Sequence, residues 1–120
     1  DRLTQLLTNL LSNAIKFSNS GTSVWLTAEV QSITDAQKHL GKQILFKVKD
    51  QGRGIPADKL ETIFDRFQQV DASDSRSKGG TGLGLAICRS IVLAHGGQIW
   101  VESILREYTT FYVTIPIVQE

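Results

Sequence analysis

The spacing of hydrophobic residues changes period along this chain, and those changes restrict the folds open to it. Leu3, Leu6, Leu7, Leu10, Leu11, Ala14, Ile15 and Phe17 follow the 3.6-residue period of a helix with one apolar face. Asn19-Ser20-Gly21 closes that run with a glycine suited to a left-handed cap. Val24, Leu26, Ala28 and Val30 then alternate, as do Ile44, Phe46 and Val48, which is the period of strands with one face inward. These two strands predict an antiparallel pair around a polar connector at 31–42. The helical period returns at Leu60, Ile63, Phe64 and Phe67, in a predicted helix at 57–67 that follows Pro56. It returns again at 82–94, where His95-Gly96-Gly97 stops it. Segments 98–103 and 109–117 read as two final strands. The order predicts an α/β fold, a two-layer sandwich with a mixed, mostly antiparallel sheet and three main helices on one face.

Length and composition narrow the function. A chain of 120 residues suits one domain with one core. The net charge of +1 gives no bulk electrostatic attraction to nucleic acid or to a membrane surface. The start at Asp1, without an initiator Met or a signal-peptide pattern, predicts a piece of a longer protein. The single cysteine, Cys88, allows no internal disulfide and points to a reducing, cytoplasmic setting. It lies in an apolar helical run and reads as a small core residue rather than a reactive thiol.

Three groups of residues carry candidate chemistry. Gly79-Gly80-Thr81-Gly82-Leu83-Gly84-Leu85 leads directly into a helix. Glycines let backbone N–H groups approach an anion, and a helix start carries free donors and partial positive charge. The plainer reading is a flexible loop. No Gly-Lys-Ser/Thr follows, so this is not a Walker P-loop. In Asp50-Gln51-Gly52-Arg53-Gly54-Ile55, a strand-end carboxylate stands beside two glycines. It can accept a hydrogen bond from an exocyclic amine such as adenine N6, with Ile55 against the ring; the plainer reading is an Asp-initiated turn. Asn9, Asn13 and Lys16 share one helix face by their spacing. They offer amide oxygens for Mg²⁺ and a point charge for phosphate, where the plainer reading is a solvated face. The segment 70–80 is rich in Ser, Asp and Gly and reads as a mobile lid.

Together these groups resemble a known family. Asn9-Leu10-Leu11-Ser12-Asn13-Ala14-Ile15-Lys16-Phe17 resembles the N box of the sensor histidine kinases. Asp50-Gln51-Gly52-Arg53-Gly54 resembles their G1 box, and Ile63-Phe64-Asp65-Arg66-Phe67 the F box. Gly80-Thr81-Gly82-Leu83-Gly84-Leu85 is similar to the G2 box. All four stand in the family's order across nearly the whole chain. The resemblance implies the Bergerat ATP-binding fold shared by DNA gyrase, the Hsp90 chaperones and the mismatch-repair protein MutL. It implies that Asn13 coordinates Mg²⁺ with Asn9 assisting, that Lys16 contacts phosphate, and that Phe17 flanks the base or ribose. Asp50 would read adenine N6, supported by Thr109, with Ile55 on the ring and Gly52 and Gly54 allowing close approach. Phe64 and Phe67 would anchor the lid, Arg66 would reach the γ-phosphate, and the G2 segment would line the phosphates.

The resemblance also implies a reaction. In the gyrase and Hsp90 branches a glutamate four residues before the metal-binding asparagine activates water. Asn9 occupies that place here. An amide is a poor general base, so the γ-phosphoryl group is kept for another nucleophile. Neither His39 nor His95 has the acidic neighbour and nearby Pro of the family's phosphoacceptor. His95 reads as a helix cap, so the acceptor histidine belongs to a separate dimerisation domain. The implied setting is a two-component pathway: a homodimeric full-length kinase that serves a response regulator. Neither nucleic acid nor direct membrane contact is expected of this domain. The alternatives are a nucleotide-binding module of a degenerate kinase and a relative that phosphorylates serine. Two departures matter. Gln69 stands where many members carry arginine. Arg106-Glu107-Tyr108 stands where they carry Gly-x-Gly, which predicts a reshaped hairpin and a displaced Thr109.

Overall fold

The computed structural model describes residues 1–35, 38–60, 62–64 and 84–117. Helix α1 (Arg2–Phe17) opens on Asp1, whose carboxylate accepts from the Thr4 backbone N–H at 2.9 Å. This side chain satisfies one of the donors that a helix start leaves free. Ser18 closes the helix, with both its backbone N–H and its hydroxyl donating to the Ala14 carbonyl, at 3.0 and 2.7 Å. The apolar stripe read from the sequence buries Leu6, Leu10 and Ala14 completely.

Strands β1 (Val24–Asp35) and β2 (Lys38–Asp50) form an antiparallel hairpin. Both are longer than their apolar alternation. The polar stretch at 31–42 is therefore largely strand, because backbone pairing continues beyond the residues that have a core to face. Helix α2 (Gly84–Ala94) precedes β3 (Gln98–Ile104) and β4 (Tyr108–Pro116). The sheet order is β1-β2-β4-β3. Every pairing among the described residues is antiparallel, so the mixed component expected from the sequence is absent from them. The predicted helix at 57–67 is a 3₁₀ turn over Ala57–Lys59 where it is first described. Residues 65–83, which include the expected lid, Arg66, Phe67 and most of the glycine-rich segment, lie outside the described residues.

Register organises the core. Across the sheet, Leu26, Val48, Phe111 and Val101 form one row on the helix-facing side, and Ala28, Phe46, Val113 and Ile99 the next; β2 and β4 supply the buried members, Val101 and Ile99 of β3 are half-buried, and Leu26 and Ala28 of β1 are exposed. Helix α1 packs over β1 and β2, and α2 packs over β3 and β4, so both helices lie on the same face. Phe111 is fully buried and meets Phe64 edge to face, with ring centroids 5.9 Å apart. That geometry suits the ring quadrupoles and fixes the chain after the 3₁₀ turn against the sheet. Cys88 is fully buried between the helices, and burial pushes its thiol up to about 12, so it is inert as a nucleophile at neutral pH. Gly96 (φ +76) and Gly97 cap α2, with the Gly97 N–H donating to the Val92 carbonyl at 2.9 Å. His95 Nδ1 lies 2.8 Å from the Ile91 carbonyl, the cap role expected of it.

The β3–β4 turn departs from expectation. Arg106 adopts φ +66, the left-handed conformation that glycine takes at little cost. Thr109 nevertheless sits in ladder register, opposite Asp50 on one side and Ser103 on the other. The turn without those glycines thus holds one residue in a strained conformation. Arg106→Gly should relieve that strain and raise stability by about 0.5–1 kcal/mol in urea denaturation. A loss of stability would contradict this reading.

Candidate functional site

The inward rows of the sheet end on a polar one. Val24, Asp50, Thr109 and Ser103 lie across β1, β2, β4 and β3 in direct register, one step beyond Leu26, Val48, Phe111 and Val101. Alternation places these side chains on the same face as the core. Asp50 is 3 % exposed and Thr109 is 5 % exposed. A carboxylate so placed loses hydration. Burial raises the Asp50 pKa from 3.8 to about 6, partly offset by a hydrogen bond from the Gly52 backbone.

The loop after Asp50 is held from two sides. Towards α1, Ser18 and Gly52 form a β-bridge, and the Asn19 N–H donates to the Gln51 carbonyl at 3.0 Å. A side chain at Gly52 would run into the backbone of Phe17, so this stitch needs glycine. The Arg53 guanidinium lies 5.0 Å from the centre of the Phe17 ring. Towards β3–β4, the Arg106 N–H donates to the Arg53 carbonyl at 2.6 Å. Gly54 has φ +76, and a Cβ there would lie 2.5 Å from the Ile104 carbonyl oxygen. The Ile55 N–H donates to Ser103 Oγ at 2.7 Å. Ser103 Oγ in turn lies 2.9 Å from the Tyr108 carbonyl and 2.8 Å from Thr109 Oγ1. One hydroxyl therefore joins the loop, the hairpin and the polar row.

Ser103 went unremarked in the sequence. The available signal was its place in Ile99, Val101, Ser103, a polar residue at the end of an inward-facing series.

The structure brings many of the expected residues together. The end of α1, with Phe17, meets the Asp50–Ile55 loop, and Ile55 is buried beside Ser103. Asn9 and Asn13 are half-buried on α1, one turn apart, and Lys16 is exposed on its last turn. On the neighbouring turn of α1, the Leu6 carbonyl accepts from the Cys88 thiol of α2 at 3.8 Å. Gly84 and Leu85 begin α2. Phe64 is buried in the core. Arg66, Phe67, Gly80, Thr81, Gly82 and Leu83 lie outside the described residues.

The histidine kinase-, DNA gyrase B- and HSP90-like ATPase family matches residues 1–119. The chain belongs to this family. Among its relatives, the sensor histidine kinase WalK of Bacillus subtilis is 42% identical over all 120 residues. A sensor protein kinase WalK of Staphylococcus aureus is 40% identical over 116 residues, 97% of the chain. The chain spans 18% and 26% of those two proteins, so it corresponds to a minor part of each. Full-length ShkA, solved in complex with AMPPNP, aligns with a TM-score of 0.76 at 33% identity, over 99% of this chain and 22% of ShkA. The catalytic domain of histidine kinase ThkA, nucleotide-free, aligns with a TM-score of 0.73 at 33% identity, over 96% of this chain and 66% of that one. The fold is thus that of histidine kinase catalytic domains.

Asp50 makes a prediction about pH. Its folded pKa is raised, so the stability associated with its neutral form is complete below about pH 4 and lost as pH rises through about 6. The stability of the parent minus that of Asp50→Asn should therefore fall by about 2.4 kcal/mol between pH 4 and pH 7.5. Urea denaturation across that range measures it, and a flat difference would show that Asp50 titrates normally.

Proposed function

We propose that this domain binds Mg-ATP and donates the γ-phosphoryl group to a histidine on a separate dimerisation domain of the full-length kinase. The observation that carries the reading is the row Asp50–Thr109–Ser103 beside Ile55, a buried carboxylate with a polar support and an apolar wall. This combination suits a planar, amine-bearing base. The ionised Asp50 carboxylate accepts from adenine N6, Thr109 and Ser103 hold the pocket's polar wall, and Ile55 packs on the ring. Gly52 and Gly54 keep the backbone close to the base, and Phe17 flanks the base or ribose.

Lys16 contacts phosphate. Arg66 acts on the γ-phosphate, and Phe67 anchors the lid. The segment Gly80, Thr81, Gly82 and Leu83 precedes α2, which Gly84 and Leu85 begin and whose free N–H groups favour anionic oxygens. The amide oxygens of Asn13 and Asn9 are hard neutral donors one turn apart, which fits Mg²⁺ shared with phosphates. When bound, the ion neutralises phosphate charge.

In the transfer, a histidine ring nitrogen attacks the γ-phosphorus, the bond from γ-phosphorus to the β–γ bridging oxygen breaks, and ADP departs. Placement and charge neutralisation supply the catalysis. With an amide at position 9, no side chain there activates water, so the phosphoryl group is conserved for the histidine. Family likeness supports the setting proposed for the whole protein: a homodimer whose phosphohistidine serves a response-regulator receiver domain. Among the described residues no helix is long and apolar enough to cross a membrane.

Asn13→Ala should lower Mg-ATP affinity at least tenfold by calorimetry while leaving the melting temperature within a few degrees. Unchanged Mg-dependent binding would remove Asn13 from the metal site. Labelled Mg-ATP mixed with the domain and its own dimerisation domain should yield acid-labile phosphohistidine. Tight binding without transfer would favour the non-catalytic module instead.

A further inference from the structure

The face of the sheet turned away from the helices carries features that nucleotide binding does not use. Two of its cross-strand rows are Trp25–Lys49–Thr110–Glu102 and Thr27–Lys47–Tyr112–Trp100. Small threonines alternate with large rings, so Thr27 and Thr110 form the floor of an open trough of about 500 Å³. Trp25 is 43% exposed and Trp100 is 39% exposed. Lys49 Nζ lies 5.7 Å from the Trp25 ring centre and 4.9 Å from that of Tyr108, and Lys47 Nζ lies 5.9 Å from that of Tyr112. Trp100 stacks on Tyr112 with ring centres 5.2 Å apart. The Glu102 carboxylate accepts from the Tyr112 hydroxyl at 2.5 Å. Among the described residues neither lysine has a carboxylate partner.

We propose that this trough is a docking surface for an extended, acidic protein segment carrying carboxylates two residues apart. Lys47 and Lys49 are themselves two apart on one strand, a separation of about 6.6 Å. An extended segment with Asp or Glu at alternate positions presents its charges at that same spacing on one face. The rings beneath and beside the ammonium groups lower the cost of holding them in place, and their bare faces take apolar contact. Aromatic residues at the centre of a shallow surface are the usual anchors of protein interfaces. Single-stranded nucleic acid also combines stacking with regular charge. The net charge of +1 and the Glu102 carboxylate on this face supply none of the wider positive field that such binding uses.

The only two tryptophans of the chain, Trp25 and Trp100, both lie on this face, so intrinsic fluorescence reports occupancy directly. The 120-residue chain is titrated with three probes: a peptide alternating glutamate with valine, a peptide alternating lysine with valine, and single-stranded oligo(dT). The glutamate peptide should change tryptophan fluorescence in a saturable way that weakens with salt, and the lysine peptide should not. The double change Lys47→Glu with Lys49→Glu should weaken glutamate-peptide binding at least tenfold while Mg-ATP affinity stays within twofold. Lys47→Gln with Lys49→Gln repeats the test should the first variant misfold. Equal binding of both peptides, no binding of the glutamate peptide, indifference to the lysine changes, or tighter binding of oligo(dT) would each overturn the proposal. Because Mg-ATP affinity is read separately on the opposite face, a failure here leaves the nucleotide reading intact.

Discussion

The register of β2 against β4 is the constraint on which the rest of the structure depends. It sets Phe46 opposite Val113, Val48 opposite Phe111 and Asp50 opposite Thr109. A slip of one residue would turn every one of these side chains to the other face. The same pairing therefore builds the core and delivers a carboxylate to its margin. The hydrophobic rows hold the register in place. Phe111 and Val48 are buried almost completely, and exposing them would cost several kcal/mol. The position of Asp50 follows from a packing preference that it does not itself supply.

That arrangement puts a charge where the protein would not otherwise choose one. Burial raises the Asp50 pKa, and the Gly52 backbone offsets this only partly. Such tension between stability and a polar group is common at binding sites, where the surroundings hold a group that a ligand later satisfies. Here the surroundings are unusually well tied. Ser103 joins Ile55, Tyr108 and Thr109, while Ser18 and Asn19 join α1 to the loop from the other side. An adenine amine arriving at Asp50 would therefore meet a wall already set.

Much of this was legible in the sequence because periodicity records burial. Helix α1 and the inward faces of β1 and β2 follow from spacing alone, and the grouping of the Asp50 loop with the end of α1 follows from the family resemblance. The outer half of the β1–β2 hairpin was not legible, since residues 31–35 and 38–42 pair through the backbone and carry no apolar alternation. The 3₁₀ turn at Ala57–Lys59 was read as a helix because periodicity at Leu60, Ile63 and Phe64 reports which side is buried rather than how tightly the chain is wound. The conformation of the turn at Arg106 was not legible for a different reason. The loss of glycine left open how the turn would close, and ladder pairing on both sides of Thr109 holds it with one left-handed residue.

The two faces of the sheet divide the work in this account: the inward face ends in the proposed nucleotide site, and the outward face offers the proposed docking trough. The claim that matters most is that Asp50 reads the exocyclic amine of adenine. Inosine triphosphate replaces that amine with a carbonyl and leaves the sugar and phosphates unchanged. Calorimetry of the two nucleotides with Mg²⁺ at pH 7.5 tests the claim directly. The account predicts that ATP binds at least about tenfold tighter, the value of one hydrogen bond to a charged group. Equal affinities would contradict it.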